Sequence, residues 1–191
     1  VYGNGDVDNW KESDSGYVDC MTLRSCYPTS KRAAETLCVA YSHQYNIEAV
    51  VARPCHTFGP HFTDNDTRAY AQFVRNARNH EDIVLKSRGE QYRSWLYVKD
   101  CASAILTILL KGQNEEAYNV ADVNSCVTIR ELAETIAHIG GSKVVFDLPS
   151  EVERQGFSVI RKAVFDTSKL EALEWIPQYK LQEALVETIK G

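Results

Sequence analysis

The sequence lacks the features of several common classes of protein. Its longest apolar stretch, residues 104–110, is interrupted by Thr107 and falls well short of the roughly 20 residues that span a bilayer. Lysine and arginine number 21 against 26 acidic residues, and the net charge of -5 argues against broad binding of nucleic acids or anionic membranes. No serine lies in a G-x-S-x-G elbow, which argues against a serine hydrolase.

The six cysteines form no C-x-x-C pair, and a chain of 191 residues can bury a core without disulfides. We therefore expect reduced thiols and a cytoplasmic location. Cys55, His56 and His61 lie close together in sequence, but no further ligands at zinc-like spacing accompany them, so no metal site is predicted. The chain begins at Val1 with neither a signal peptide nor a transit peptide, as expected for a piece of a longer protein.

The composition that is present belongs to a folded domain, with 44% hydrophobic and 25% charged residues. Residues 1–26 are rich in Gly, Asp, Asn and Ser and predict a loop that positions residues and needs a partner surface for its order. Apolar spacing predicts a helix over 28–45, and a short apolar run predicts a buried strand over 47–53 that ends at Pro54. Helix followed by strand indicates an α/β fold.

The remainder of the chain continues this alternation. A capping box at Thr128 and Glu131 opens one helix, which ends at Gly140 and Gly141, and Asp100 is predicted to cap another that stops near Gly112. Further helices are predicted near 67–79, 167–173 and 181–189, and strands at 83–85, 92–98, 117–121 and 143–148.

The most informative local pattern is Tyr27-Pro28-Thr29-Ser30-Lys31 at the start of the first helix. Residues four apart share one helical face, and an ammonium beside a phenol favours the phenolate, so the pair can serve as an acid/base nearer neutral pH. The spacing alone is also compatible with a surface tyrosine beside a solvated lysine.

Five ordered blocks of sequence resemble the extended short-chain dehydrogenase/reductases, the NAD-dependent epimerases, dehydratases and decarboxylases of nucleotide sugars. The amino acids in these blocks are most similar to those of the UDP-glucuronate decarboxylase branch. The blocks are residues 1–3, 24–37, 52–60, 89–100 and 165–170. The resemblance implies the C-terminal part of a Rossmann-type parallel sheet in residues 1–60. It implies a smaller α/β substrate-binding domain in residues 61–191, with the strand near 117–121 returning to the sheet.

The resemblance also implies roles for single residues. Tyr27 would be the catalytic acid/base, and Lys31 would favour its phenolate while binding the nicotinamide ribose. Arg53 and Pro54 would border the nicotinamide of NAD, and the sequence does not separate NAD from NADP. A nucleotide-diphosphate sugar would be bound by His56, where the family commonly has Asn, and by Arg68, Leu85, Gln91, Arg93 and Arg161.

The dinucleotide-binding motif of that family is missing. The only G-x-G is Gly3-Asn4-Gly5, with Asp8 where the third glycine would fall. The family's catalytic Ser or Thr would precede Val1. We therefore expect a fragment of an enzyme that acts through a 4-keto sugar, inactive by itself and able to form a homodimer through the face of the first helix carrying Leu37 and Tyr41. The alternative is a non-catalytic nucleotide-sugar-binding or interaction module.

Overall fold

The computed structural model describes residues 1–148 and 162–191. The helices are α1 (Cys26–Tyr45), α2 (Ala69–Arg78), α3 (Val98–Lys111), α4 (Ile129–Gly140), α5 (Ser168–Glu171) and α6 (Leu181–Lys190). The strands are β1 (Val51–Pro54), β2 (His56–Phe58), β3 (Ile83–Leu85), β4 (Tyr92–Tyr97), β5 (Ala117–Val120), β6 (Cys126–Thr128), β7 (Val144–Phe146) and β8 (Lys162–Ala163).

Within residues 1–148 and 162–191, the strands form three small sheets in which parallel pairing dominates. β1 pairs with β5, β2 with β4 and β3 with β7, all in parallel, while β6 joins β4 in the antiparallel direction and β8 joins β4 in parallel. Parallel strands joined through helices are the arrangement expected of an α/β protein, so the predicted fold class is confirmed. The predicted division at residue 60 stays a prediction.

Two apolar cores lie on opposite sides of β4. The first core is enclosed by α2, α4 and α6, which pack against one another, and it includes Trp95 and Tyr97 of β4. The second core includes Leu96 of the same strand and joins it to α3, β5 and Trp175. Successive side chains of a strand point to opposite faces, so β4 contributes alternately to the two cores and couples them.

Several predicted elements differ from the structure at their ends. The helix predicted to be capped by Asp100 begins earlier, at Val98, and Asp100 lies buried in its first turn. Its carboxylate accepts hydrogen bonds from the backbone amides of Gln178 (2.9 Å) and Tyr179 (3.1 Å), so it joins α3 to the tail of the chain and does not cap the helix. The strand predicted from residue 47 begins at Val51.

The predicted capping box is confirmed at the start of α4. The Thr128 hydroxyl accepts a hydrogen bond from the Glu131 amide at 3.1 Å, and the Glu131 carboxylate accepts one from the Thr128 amide at 2.7 Å. Gly141 follows the helix with φ of 71°, a left-handed conformation that glycine adopts without strain.

The N-terminal loop is ordered by contacts within this chain. Tyr2 and Trp10 are buried, at 8% and 5% exposure, and their rings lie 5.2 Å apart. Trp10 also pairs with the backbone around Phe165, donating to the Val164 carbonyl at 2.9 Å. The partner surface that the sequence predicts is therefore supplied, at least at Trp10, by the segment around Phe165 of the same polypeptide.

All six cysteines are unpaired in the structure. Among the described residues, no helix is both long enough and apolar enough to cross a membrane.

Candidate active site

Tyr27 and Lys31 lie in the first two turns of α1, on the same face. Pro28 is accommodated there because the first turn of a helix leaves backbone amides without an intrahelical acceptor. The Lys31 ammonium lies 5.6 Å from the centroid of the Tyr27 ring, and the Tyr27 side chain is 69% exposed. The structure therefore presents a phenol and an ammonium together on an open surface, where a ligand can reach both.

Contacts behind this face hold α1 against the sheet. The Arg32 guanidinium donates to the carbonyls of Val1 (2.7 Å), Tyr2 (3.0 Å) and Gly16 (2.7 Å). One turn further along, Glu35 receives a two-pronged hydrogen bond from Arg53 of β1, with both N–O distances 2.8 Å. The Tyr27 face is thus fixed relative to the N-terminal loop and the end of β1.

Arg53 and Pro54, predicted to border the nicotinamide, lie at the carboxyl end of β1. Pro54 is exposed, whereas the guanidinium of Arg53 is occupied by Glu35, the Tyr2 hydroxyl (3.1 Å) and the Glu12 carbonyl (2.9 Å). Burial disfavours the charge of Arg53, but its hydrogen bonds to Glu35 and Tyr2 outweigh this effect and raise its pKa above the usual value. Arg53 is therefore engaged within the chain.

A second group of predicted residues meets on one face of β2 and β4. His56 lies opposite Trp95 in the register, and Arg93 precedes Trp95 by two residues, so the three side chains share that face. The His56 and Trp95 rings lie 5.4 Å apart, and the Arg93 side chain is buried, at 6% exposure. Desolvation of the imidazole and the positive charge of Arg93 lower the pKa of His56 to about 4. The imidazole is therefore neutral beside a buried guanidinium at physiological pH.

Arg68 joins this group from the start of α2. Its guanidinium pairs with Asp66, donates to the Tyr70 hydroxyl at 3.0 Å and approaches the Thr57 carbonyl at 3.4 Å, next to His56 in β2. Its charge also contributes to the lowered pKa of His56. The structure thus brings His56, Arg68 and Arg93 together as two guanidiniums around a neutral imidazole, a combination suited to anionic ligands.

The other predicted substrate residues are placed differently. Leu85 is buried in the first core, at 4% exposure, and its carbonyl accepts from the Asp147 amide, so its side chain packs within the protein. Gln91 is partly exposed just before β4, with its carbonyl bonded to the Ile129 amide at 3.1 Å. Arg161 lies outside the described residues. The binding role of these three residues stays a prediction.

Sequence reasoning missed the polar residues that organise the region behind Tyr27. Asn119 of β5 is fully buried, accepts from the Tyr2 hydroxyl and donates to the carbonyls of Trp10 (2.9 Å) and Asp166 (3.0 Å). Glu35 was equally overlooked. A signal was available, since Asn119 places a side-chain amide, which must both donate and accept when buried, within the apolar run at 117–121.

The Gly3-Asn4-Gly5 segment does not open a helix. Asn4 forms an isolated antiparallel bridge with Tyr17, Gly3 has φ of 78°, and a side chain at Gly3 would meet the Tyr17 carbonyl. A phosphate-binding glycine loop presents its amides at a helix N-terminus, which this segment does not do. The described part of the chain therefore presents the Tyr–Lys face without a pyrophosphate cradle.

The geometry agrees with the comparison against known families. The model described as the NAD dependent epimerase/dehydratase family matches residues 1–121. The chain belongs to this family. The predicted resemblance is thus confirmed, and the matched span contains α1, the β1 end and the His56, Arg68 and Arg93 group.

Individual proteins show which members of the family this chain resembles. UDP-glucuronic acid decarboxylase 5 of Arabidopsis thaliana is 33% identical over 189 residues, which are 97% of this chain and 53% of that protein. The chain thus spans about half the length of the curated relatives it matches. Among solved structures, UDP-N-acetylglucosamine 4-epimerase from Methanobrevibacter ruminantium M1, in complex with UDP-N-acetylmuramic acid, aligns with a TM-score of 0.80 and 27% identity, covering 100% of this chain and 59% of its own.

The fold similarity extends to more distant members. UDP-glucose 4-epimerase from Thermotoga maritima aligns with a TM-score of 0.82 at 22% identity, covering 98% of this chain and 58% of its own. At that identity the match concerns the fold alone, and it agrees with the mixed α/β architecture described above.

Proposed function

We propose that this chain carries the catalytic Tyr–Lys pair and the sugar-nucleotide site of an NAD-dependent enzyme that modifies a nucleotide sugar through a 4-keto sugar. The observation that carries the proposal is the exposed Tyr27 hydroxyl, on one helical face with the Lys31 ammonium 5.6 Å from its ring. Relatives named UDP-glucuronic acid decarboxylase, at 33% identity, support a UDP-linked hexuronate as substrate.

In this proposal the Tyr27 phenolate takes the proton of the sugar C4 hydroxyl. Bound NAD supplies the hydride acceptor for the same carbon, and the C4 hydroxyl becomes a ketone. Lys31 places a positive charge beside the Tyr27 ring and binds the ribose hydroxyls. The ketone then acidifies the neighbouring positions of the sugar, which permits loss of carboxylate, loss of water or inversion.

The residues present fit one side of the dinucleotide. Tyr27 and Lys31 are open to a ribose and a nicotinamide, and the exposed Pro54 lies at the carboxyl end of β1, the edge where α/β sheets bind ligands. The glycine loop for the pyrophosphate is absent from the sequence. We therefore assign the nicotinamide half of the site to this chain and the pyrophosphate half to further polypeptide.

The sugar nucleotide is assigned to the second group of residues. Arg93 and Arg68 supply two permanent positive charges for a diphosphate, and neutral His56 offers a hydrogen bond to the sugar without adding charge. Arg161 and Gln91 complete the proposed set, together with the backbone near Leu85.

Turnover and binding test the proposal separately. In the complete enzyme, Tyr27→Phe should lower kcat by about 100-fold or more because it removes the acid/base, while the dissociation constant of the UDP-sugar stays within about threefold. The matched control is Tyr17→Phe, which removes the same hydroxyl from a tyrosine that is 70% exposed, as Tyr27 is at 69%. Full turnover by Tyr27→Phe would contradict the catalytic assignment.

A second candidate function is a non-catalytic nucleotide-sugar-binding module, favoured by the bridged Gly3-Asn4-Gly5 segment, which forms no pyrophosphate cradle. Calorimetric titration of the complete protein with UDP-glucuronate and with NAD separates the two functions. Sugar-nucleotide binding without NAD binding or turnover supports the module for this chain. Turnover by this chain alone would contradict its assignment as half of a site.

We also assign self-association and location to the proposed enzyme. Leu37 and Tyr41 are 57% and 52% exposed on α1, and such apolar residues on one helix favour a homodimer through this face. Sedimentation velocity of Leu37→Glu should show less dimer than the unsubstituted protein.

The six unpaired cysteines support a reducing, cytoplasmic compartment for the proposed enzyme.

A further inference from the structure

The ion pair between Glu35 and Arg53 lies behind the Tyr27 face and determines which charged groups are near the Tyr27 phenol. Glu35 follows Lys31 by four residues on α1, the spacing at which oppositely charged side chains pair on a helix surface. Among the described residues, however, Lys31 and Glu35 form no ion pair, and the contact of the Lys31 ammonium is with the Tyr27 ring. Glu35 is turned instead to Arg53.

The Arg53 guanidinium is held in place by several hydrogen bonds, so it is a fixed partner for Glu35. It is held by the Tyr2 hydroxyl and the Glu12 carbonyl in addition to the two prongs on Glu35. The side chains of Arg53 and Glu35 are only 14% and 21% exposed. A two-pronged, largely buried pair outcompetes a solvated lysine for the same carboxylate.

The other cation near Glu35 on the helix is also occupied. Arg32, three residues before Glu35, donates to three backbone carbonyls of the N-terminal loop. Removal of Arg53 would therefore leave Lys31 as the cation on α1 that is free to receive the released carboxylate.

We propose that Arg53 is a positioning residue that sequesters Glu35 and so keeps the charge of Lys31 available to Tyr27 and its ligand. This inference rests on the proposed function, and the predicted position of Arg53 beside the nicotinamide stays a prediction. The carboxylate of Glu35 stabilises the architecture while paired with Arg53, and it neutralises Lys31 when that partner is lost.

Trace acetylation of the ligand-free chain tests the inference without any turnover. The rate of Lys31 acetylation is measured by peptide mass spectrometry. It is divided by the rate for Lys86, an exposed lysine that directly follows β3. Arg53→Met should slow Lys31 by about two- to fivefold, because the ion pair with Glu35 occupies the amine. The double variant Arg53→Met with Glu35→Gln should restore the original ratio, and Glu35→Gln alone should leave it unchanged.

These acetylation ratios distinguish an effect of Arg53 on the charge near Lys31 from a general effect of Arg53 on the fold. If Arg53 only supports the fold, the single and double variants will acetylate alike, and that result would overturn the proposal. Arg53→Gln serves as a milder substitution, since its amide can still donate to the Glu12 carbonyl, and the same slowing is expected. If neither Arg53 variant retains the native far-UV circular dichroism, Arg53 acts on folding of the whole chain and the proposal is wrong.

The complete enzyme supplies the functional arm. Arg53→Met should lower kcat by about tenfold with little change in the KM of the sugar nucleotide, and adding Glu35→Gln should recover part of the loss. A fully active Tyr27→Phe enzyme would contradict the proposed function while leaving the acetylation ratios intact. An unchanged acetylation ratio would contradict the role of Arg53 while leaving the Tyr27 assignment intact.

Discussion

At the scale of single residues, the arginines of this chain show how one side-chain type takes different roles. Arg93 is buried on β4, and burial lowers its pKa. Arg53 is fixed by Glu35, whereas Arg68 is 61% exposed and pairs with Asp66. Sequence patterns located all three. The partner of Arg68 lies two residues away, whereas the pairing of Arg53 with Glu35, 18 residues away, is decided by the packing of α1 against β1.

Asp66 gives a residue-scale prediction on pH. Hydrogen bonding from Arg68 lowers the pKa of Asp66 to about 2. Because this folded-state pKa lies below the unfolded value of about 3.9, the pair stabilises the protein above about pH 4, and its contribution is lost as the pH falls towards 2. Asp66→Asn should therefore lower Tm at about pH 6 but have progressively less effect between about pH 4 and 2.

Thermal unfolding monitored by circular dichroism across that range measures the difference. Asp64→Asn is the matched control, since it removes an exposed carboxylate two residues away. An Asp66→Asn deficit in Tm that stays constant down to about pH 2 would contradict the linkage.

At the scale of elements, local signals predicted helices well and strand ends poorly. The reciprocal hydrogen bonds of Thr128 and Glu131 lie within four residues, so the start of α4 was readable from the sequence. Asp100 carried the same type of signal, yet its carboxylate binds amides 78 and 79 residues away. A capping residue can be recognised from sequence only when no distant backbone competes for its side chain.

The α4 cap gives a prediction at this scale. Thr128→Ala should lower the free energy of unfolding by about 1 kcal/mol, because it leaves the Glu131 amide without its acceptor. Thr135→Ala makes the same chemical change inside the helix and should be neutral or slightly stabilising, since alanine favours helix. Urea titrations compare the variants, and equal losses from both would show that the cap contributes nothing of its own.

At the scale of the whole molecule, β4 makes one cooperative unit of the two cores. Its alternate side chains enter the core around α2, α4 and α6 and the core around α3 and β5. Neither core can lose its packing without exposing the other face of the strand. We therefore expect a single unfolding transition.

Core truncations test this coupling. Ile136→Ala in the first core and Ile108→Ala in the second should each lower the free energy of unfolding by about 2–5 kcal/mol, since both side chains are almost fully buried. Both should shift one common midpoint, whether unfolding is followed by circular dichroism or by tryptophan fluorescence. A biphasic curve in either variant would show that the cores unfold separately.

The sequence by itself determined the α/β class, the helices, the α4 cap, the family and the Tyr27–Lys31 spacing, because each depends on residues near one another in the chain or on ordered motifs. Only the tertiary structure decided that Asn119 joins the N-terminal loop to the segment around Asp166, and that Glu35 binds Arg53 and not Lys31. These contacts depend on competition between distant partners for the same buried polar groups. The spacing of residues along the chain does not predict which partner forms the contact.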